Sequence, residues 1–230
     1  DQTPLADYMG DEEANFLDLA RKLELSLSET LELKAYTEGK GIEFLSSPFD
    51  EPSVYALQEI GLTELKIPSG ETVNPFVMKA AAKTKLPLIV STGMCDLADV
   101  RWAVNFLEEH DSGPVTLLHC TTQYPADPEN LNLRAMETLS SEFDLPVGYS
   151  DHSEGIIVPV AAVSKGAVLI EKHFTVDKSL PGPDHKASLD PEELKAMVDG
   201  MRIVEKVLGD GIKGPRPSEV KNKNVARKSL

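Results

Sequence analysis

The chain is short of cysteine, tryptophan and basic residues, and no apolar run is long enough to cross a bilayer. Only Cys95 and Cys120 are present, which excludes a disulfide framework and points to a reducing cytoplasm. Lys and Arg total 23 against 38 Asp and Glu, a net charge of -15. That balance argues against a general nucleic-acid surface and leaves room for a local basic pocket. No secretory leader is visible, so neither nucleic acid nor membrane is an expected partner. No Gly-rich dinucleotide turn follows any apolar run, which weakens a Rossmann-type reading.

What is there suits one large α/β domain: 230 residues, 41% of them apolar. A unit recurs along the chain, in which a short apolar run ends in polar residues and an amphipathic helix follows. The runs are Gly41–Ser47, Glu64–Ser69, Leu86–Thr92, Pro114–Cys120, Leu145–Ser150 and Val168–His173. Each is apolar on both faces, as strands buried on two sides of a parallel sheet are. Asp50-Glu51-Pro52, Asn74-Pro75, Asp96 and Asp190-Pro191 read as helix starts, with Gly61 and Gly209 as stops. A helix over Gly155–Lys165 must accommodate Pro159 in its first turn. Leu194, Met197, Val198, Met201, Val204 and Leu208 form one apolar face of the helix ending at Leu208. Two further helices are expected at about Glu12–Leu23 and Ser28–Glu38.

Six βα-type runs fit an open doubly wound sheet or a (β/α)8 barrel. Ser47, Lys66, Ser69, Glu71, Thr92, His119, Ser150, Asp151, His152 and His173 all fall at or just past run ends. Barrels build active sites on that rim. The expected fold is therefore a (β/α)8 TIM barrel with six of eight strands evident, the first two expected before residue 1. Residues 1–208 read as the catalytic domain. Residues 209–230, rich in Lys, Arg, Gly and Pro, read as a linker.

Several rim residues can carry chemistry. Adjacent runs deliver His152 and His173 to the rim, where two imidazoles on neighbouring strands could share one metal ion. Oxygen-rich surroundings favour Mn2+ or a similar ion. The alternative is two histidines bonded to loop backbone. Lys66 alternates with Ile67 and points into the barrel; beside Ser69 it could hold a phosphate or carboxylate. Glu71 could accept from sugar hydroxyls, or simply pair with Lys66. Ser47 and Thr92 extend the ring of donors or serve as turn residues. Thr122 and Tyr124 lie on the loop after His119-Cys120, where Cys120 reads as a small buried residue rather than a nucleophile. In the stiff Leu180–Lys186 loop, Asp184 could orient a sugar hydroxyl or a metal-bound water.

Taken together, the segments KIPSGE, STGM, LLHCTTQYP, VGYSDHS, IEKHFT and LPGPDHKAS resemble the sialic acid synthase family, in the family's order, over about Gly41 to Leu208. The stretches QTPLADYM and FLSSPF also look like members acting in legionaminic acid biosynthesis. The resemblance implies a (β/α)8 barrel that condenses phosphoenolpyruvate with an N-acylated mannosamine-like sugar and releases phosphate. It implies a homodimer and a divalent metal, Mn2+ first and Mg2+ or Co2+ after it. By resemblance His152 and His173 are the metal ligands. Lys66, Ser69 and Ser150 match phosphoenolpyruvate-binding positions, and Glu71, Tyr124 and Asp184 match sugar-binding ones. Ser47 stands where members often have Thr, and Thr122 where some have Asn. The family's catalytic glutamate and a phosphate-binding lysine belong to strands expected before residue 1, and its C-terminal antifreeze-like domain is not in this sequence. The alternatives are another metal-dependent phosphoenolpyruvate–sugar synthase or aldolase on the same fold, or a metal- or sugar-binding fragment that does not turn over.

Overall fold

The computed structural model describes residues 21–182 and 184–227. Five strands form one all-parallel sheet in chain order: β1 Leu65–Ile67, β2 Leu88–Ser91, β3 Val115–Cys120, β4 Val147–Asp151 and β5 Ile170–Lys172. The helices are α1 Leu27–Gly39, α2 Glu51–Glu59, α3 Pro75–Thr84, α4 Leu97–Glu109, α5 Ala135–Phe143, α6 Ile157–Ser164, α7 Pro191–Leu208 and α8 Pro217–Ala226. Parallel neighbours need a crossover, and a helix supplies it between each consecutive pair of strands.

The helix starts follow from local chemistry. Asp50, Asn74, Asp96 and Asp190 each accept hydrogen bonds from first-turn backbone N–H groups. Asp96 and Asp190 are answered by Asp99 and Glu193, which close reciprocal capping pairs. Pro159 falls within the first turn of α6, where its missing N–H costs no helical bond.

The strands divide their side chains by alternation. Leu65, Ile67, Leu88, Val90, Leu117, Val147 and Tyr149 belong to the core shared with the helices, including Met78, Ala81, Val100, Leu107 and Met136. Lys66, Ile89, Ser91, Leu118, Cys120, Gly148, Ser150 and Glu171 alternate with them and face the other way, as the paired registers require. That second face is concave. In a flat sheet, four spacings of about 4.8 Å would hold β1 and β5 about 19 Å apart. Yet Lys66 Nζ on β1 lies 3.3 Å from Glu171 Oε2 on β5. The five strands therefore curl as a half-barrel.

The structure corrects the sequence expectations in three places. Gly41–Ser47 is not a strand, so the described sheet has five strands rather than six. Ile42 N–H bonds back to Thr37 O, and residues 43–47 make no ladder bonds with β1 among the described residues. The apolar composition of this run reflects packing instead, because Phe44 lies against the core. The tail expected to be a linker contains α8, begun by Pro217 with the Glu219 carboxylate accepting from Arg216 N–H. On α7 only Met197 is buried, while Val198 and Leu208 are exposed. α1 matches the expected Ser28–Glu38 helix, whereas Glu12–Leu23 lies for the most part outside the described residues. No described helix is long and apolar enough to cross a membrane.

Leu117 is 1% exposed at the centre of the sheet, whereas Ile203 on α7 is 59% exposed. Leu117→Ala should cost about 2–5 kcal/mol by loss of burial plus a residual cavity. Ile203→Ala should stay within about 0.5 kcal/mol. Urea unfolding with unchanged slopes checks both values; equal losses would mean that the two faces do not differ as described.

Candidate active site

The C-terminal ends of the strands and the turns after them converge above the concave face. Lys66 is 6% exposed, and its ammonium meets Glu171. The other Glu171 oxygen accepts from Ser150 Oγ at 2.7 Å. One carboxylate thus orients an ammonium and a hydroxyl, both donors suited to an anion. Ser69 Oγ accepts from Gly93 N–H at 2.9 Å, joining the turn after β1 to that after β2. A side chain at Gly93 would place its Cβ 2.3 Å from Thr122 Oγ1 and 2.8 Å from Ser69 Oγ. Glycine is required there because two hydroxyls crowd its Cα.

The histidines meet on the far side of this donor cluster. The His152 and His173 ring centroids are 5.3 Å apart, edge to face. Tyr124 lies against both, at 4.1 Å from His152 and 5.6 Å from His173. His152 Nδ1 is 2.7 Å from Thr121 O. A carbonyl can only accept, so Nδ1 carries the proton and a neutral ring keeps its lone pair on Nε2. Burial holds the His152 pKa below the ordinary imidazole range; the neighbouring His173 adds to this, and the Thr121 carbonyl opposes it. His173 Nδ1 lies 3.7 Å from Asp184 Oδ2. A backbone acceptor on one nitrogen and a free lone pair on the other is how ligating histidines are commonly held.

These two imidazoles suit a transition metal by donor type. Among the described residues, no group of three or more His, Cys, Asp or Glu side chains is placed to hold an ion. The described donors are therefore the two imidazoles, one fewer than the three protein ligands of catalytic zinc sites.

Other expected residues fall around this centre or away from it. Glu71 ends the short turn Ser69–Glu71, and its carboxylate accepts from Asn74 Nδ2 at 2.6 Å. Thr92 Oγ1 donates to Leu118 O at 2.9 Å. Ser47 lines a cavity beside the first turns of α1 and α2 with Leu27, Thr30 and Ser53. His119 points to the helical side and bonds through Nε2 to Leu131 O at 2.8 Å. Glu171 was missed by sequence reasoning, although strand alternation from Lys172 and the rim position of His173 put it on the inner face.

A family model described as the NeuB family matches residues 2–213. The chain is 49% identical over 217 residues to an N,N'-diacetyllegionaminic acid synthase of Legionella pneumophila, covering 93% of this chain and 61% of that protein. It is also 49% identical to the enzyme of the same name from Campylobacter jejuni, covering 93% of this chain and 65% of the relative. A crystal structure of an N-acetylneuraminic acid synthetase from Leptospira borgpetersenii superposes with a TM-score of 0.85 at 38% identity, covering 93% of this chain and 75% of that one. The chain thus spans 61% and 65% of the lengths of the two curated relatives.

Neither cysteine is built as a nucleophile. Burial pushes the Cys120 thiol up, and burial with the nearby Asp99 and Asp96 raises Cys95 to about 11. A raised thiol pKa leaves little thiolate at neutral pH. Alkylation of Cys95 in the native protein at pH 8 should run about 100-fold slower than in urea, rising about tenfold per pH unit above that. Fast, pH-independent native labelling would contradict this.

Proposed function

The chain belongs to the NeuB, or sialic acid synthase, family, and on that premise we propose that it is the barrel part of a nonulosonic acid synthase. In this reading the five described strands belong to a complete (β/α)8 barrel. The enzyme joins phosphoenolpyruvate to an N-acylated mannosamine-like sugar. The observation that carries the reading is the edge-to-face meeting of His152 and His173 beside the Lys66–Glu171–Ser150 cluster.

The residues divide the work by their chemistry. Lys66 supplies a buried positive charge, and the Ser69 and Ser150 hydroxyls supply neutral donors. Together they hold and orient the phosphate and carboxylate of phosphoenolpyruvate. Glu171 keeps Lys66 and Ser150 turned toward one another. Glu71, Tyr124 and Asp184 surround the sugar side, where carboxylates accept from hydroxyls. A divalent ion, Mn2+ first, would be held by the His152 and His173 imidazoles and would supply Lewis-acid polarisation of the sugar aldehyde. Carbon 3 of phosphoenolpyruvate forms the new bond to the aldehyde carbon, whose oxygen takes a proton. Water adds at carbon 2, and phosphate departs with the electrons of its C–O bond.

Calorimetric titrations with Mn2+ and with phosphoenolpyruvate, alongside phosphate release in the presence of N-acetylmannosamine, test this reading. Mn2+ should bind one to one, and His152→Ala and His173→Ala should each weaken it by at least about 100-fold. Lys66→Ala should weaken phosphoenolpyruvate binding by about 10–100-fold, the value of a charged hydrogen bond, and leave Mn2+ binding in place. Unaltered Mn2+ binding in both histidine variants would overturn the ligand assignment. Phosphoenolpyruvate binding indifferent to Lys66→Ala would overturn the anion site.

A further inference from the structure

The ladder between β4 and β5 ends one residue before each histidine, at the pair Asp151 and Lys172. Beyond it each backbone carbonyl takes another partner. His152 O accepts from Ala126 N–H, and His173 O accepts from Leu189 N–H. Sheet pairing therefore fixes the backbone up to the residue before each histidine and leaves the path of residues 152 and 153 to other contacts.

A side-chain network takes over where the ladder stops. Lys172 Nζ lies 2.7 Å from Asp151 Oδ2 and also donates to Ser153 O. Asp151 Oδ1 accepts from Ser153 N–H at 3.0 Å and from Ser153 Oγ at 2.8 Å. The residues on either side of His152 are thereby tied to each other and to the residue preceding His173. Asp151 and Ser153 are buried, and the Lys172 side chain is 4% exposed beside that of Asp151 at 0%. By alternation from Ser150 and Glu171, Asp151 and Lys172 lie on the helical face, so the histidines after them turn back toward the concave side. The network therefore touches neither the proposed substrate nor the ion. A buried ion pair of this kind adds little net stability over apolar residues of the same size. Its use here is geometric.

We propose that Asp151, Lys172 and Ser153 form a positioning network that sets the separation of the His152 and His173 imidazoles. Its consequence for an ion rests on the function proposed above; its consequence for the rings does not.

The test uses the 230-residue chain with isotope-labelled histidine. It reads the nuclear Overhauser contact between the two rings without metal, and Mn2+ affinity by calorimetry. Lys172→Met alone strands a buried carboxylate and is prone to unfold, so two other variants are used. Asp151→Leu/Lys172→Met replaces the pair with apolar groups, and Ser153→Ala removes the hydroxyl held by Asp151 without stranding a charge. Both should keep the native circular dichroism spectrum, weaken the ring contact and lower Mn2+ affinity by about 10–100-fold, as loss of supporting partners does elsewhere. Leu107→Ala is the control. Leu107 is 1% exposed near the end of α4, on the side of the sheet remote from the rim. It should lower the thermal midpoint and leave both readouts unchanged. An intact ring contact in either folded variant overturns the proposal, as does equal loss of the contact in Leu107→Ala. Wild-type protein that shows the ring contact but does not bind Mn2+ would sink the metal reading and leave the positioning claim standing on the rings.

Discussion

A lysine on the first described strand and a glutamate on the last meet across the inside of the sheet, and that closure brings the anion-binding donors to the strand pair that carries the histidines. The Lys66–Glu171 contact matters for its geometry more than its energy. Glu171 is 40% exposed at its side chain, and pairs open to water contribute little. What the contact records is curvature. Right-handed strand twist and helices packed on one face bend five parallel strands until their edges approach. The curl carries residues more than a hundred positions apart to one mouth. A flat sheet with the same residues would leave Lys66 a sheet's width from Ser150 and Glu171, which are neighbours on β4 and β5.

Because the sheet is curved, its two faces take different work. The convex face meets the helices and holds the apolar core, which excludes water from Tyr149, Leu117 and Val90. The concave face is apolar toward its base, at Ile89 and Leu118, and polar toward its mouth. Gly148 lies level with Leu118. A Cβ there would meet Leu118 Cδ2 at 2.6 Å and Leu169 O at 2.5 Å, so the tight inner wall leaves room for hydrogen only. Gly93 repeats the constraint at the rim against two hydroxyls. Stability and chemistry therefore reside on alternate residues of the same strands, which lets polar side chains gather without opening the core.

Much of this was legible in the sequence, and the legible parts share a cause. Helix starts at Asp50, Asn74, Asp96 and Asp190 are local hydrogen-bond chemistry, so sequence alone locates them. Five apolar runs became strands because each has a parallel neighbour. Gly41–Ser47 looks the same by composition but forms no ladder, and pairing is a property of two segments rather than one. α5 went unread because Arg134 gives its start no side-chain cap, although Met136, Leu139 and Phe143 recur at helical spacing. At the site, His152, His173, Lys66, Ser69 and Ser150 were nameable from strand-end position and resemblance. Glu171 and the Asp151–Lys172 pair were not singled out for a role, because each gains one only from a partner on another strand.

His119 and His152 show how far residue type alone falls short of function. Both rings are largely buried, and burial lowers both pKa values. Each gives one nitrogen to a backbone carbonyl, His119 to Leu131 and His152 to Thr121. The two differ in tautomer, since Nε2 of His119 and Nδ1 of His152 face the carbonyl, but residue type and burial do not tell them apart. His119 faces the helices, and the ring beside it is Tyr149, at 5.7 Å, whose phenol burial keeps protonated. His152 faces the mouth and finds a second imidazole there. The difference is one of parity along adjacent strands: an odd step from Cys120 leads to the helical side, and an even step from Ser150 returns to the concave side. A buried neutral imidazole is thus a structural residue on one face of this sheet and a candidate ligand on the other.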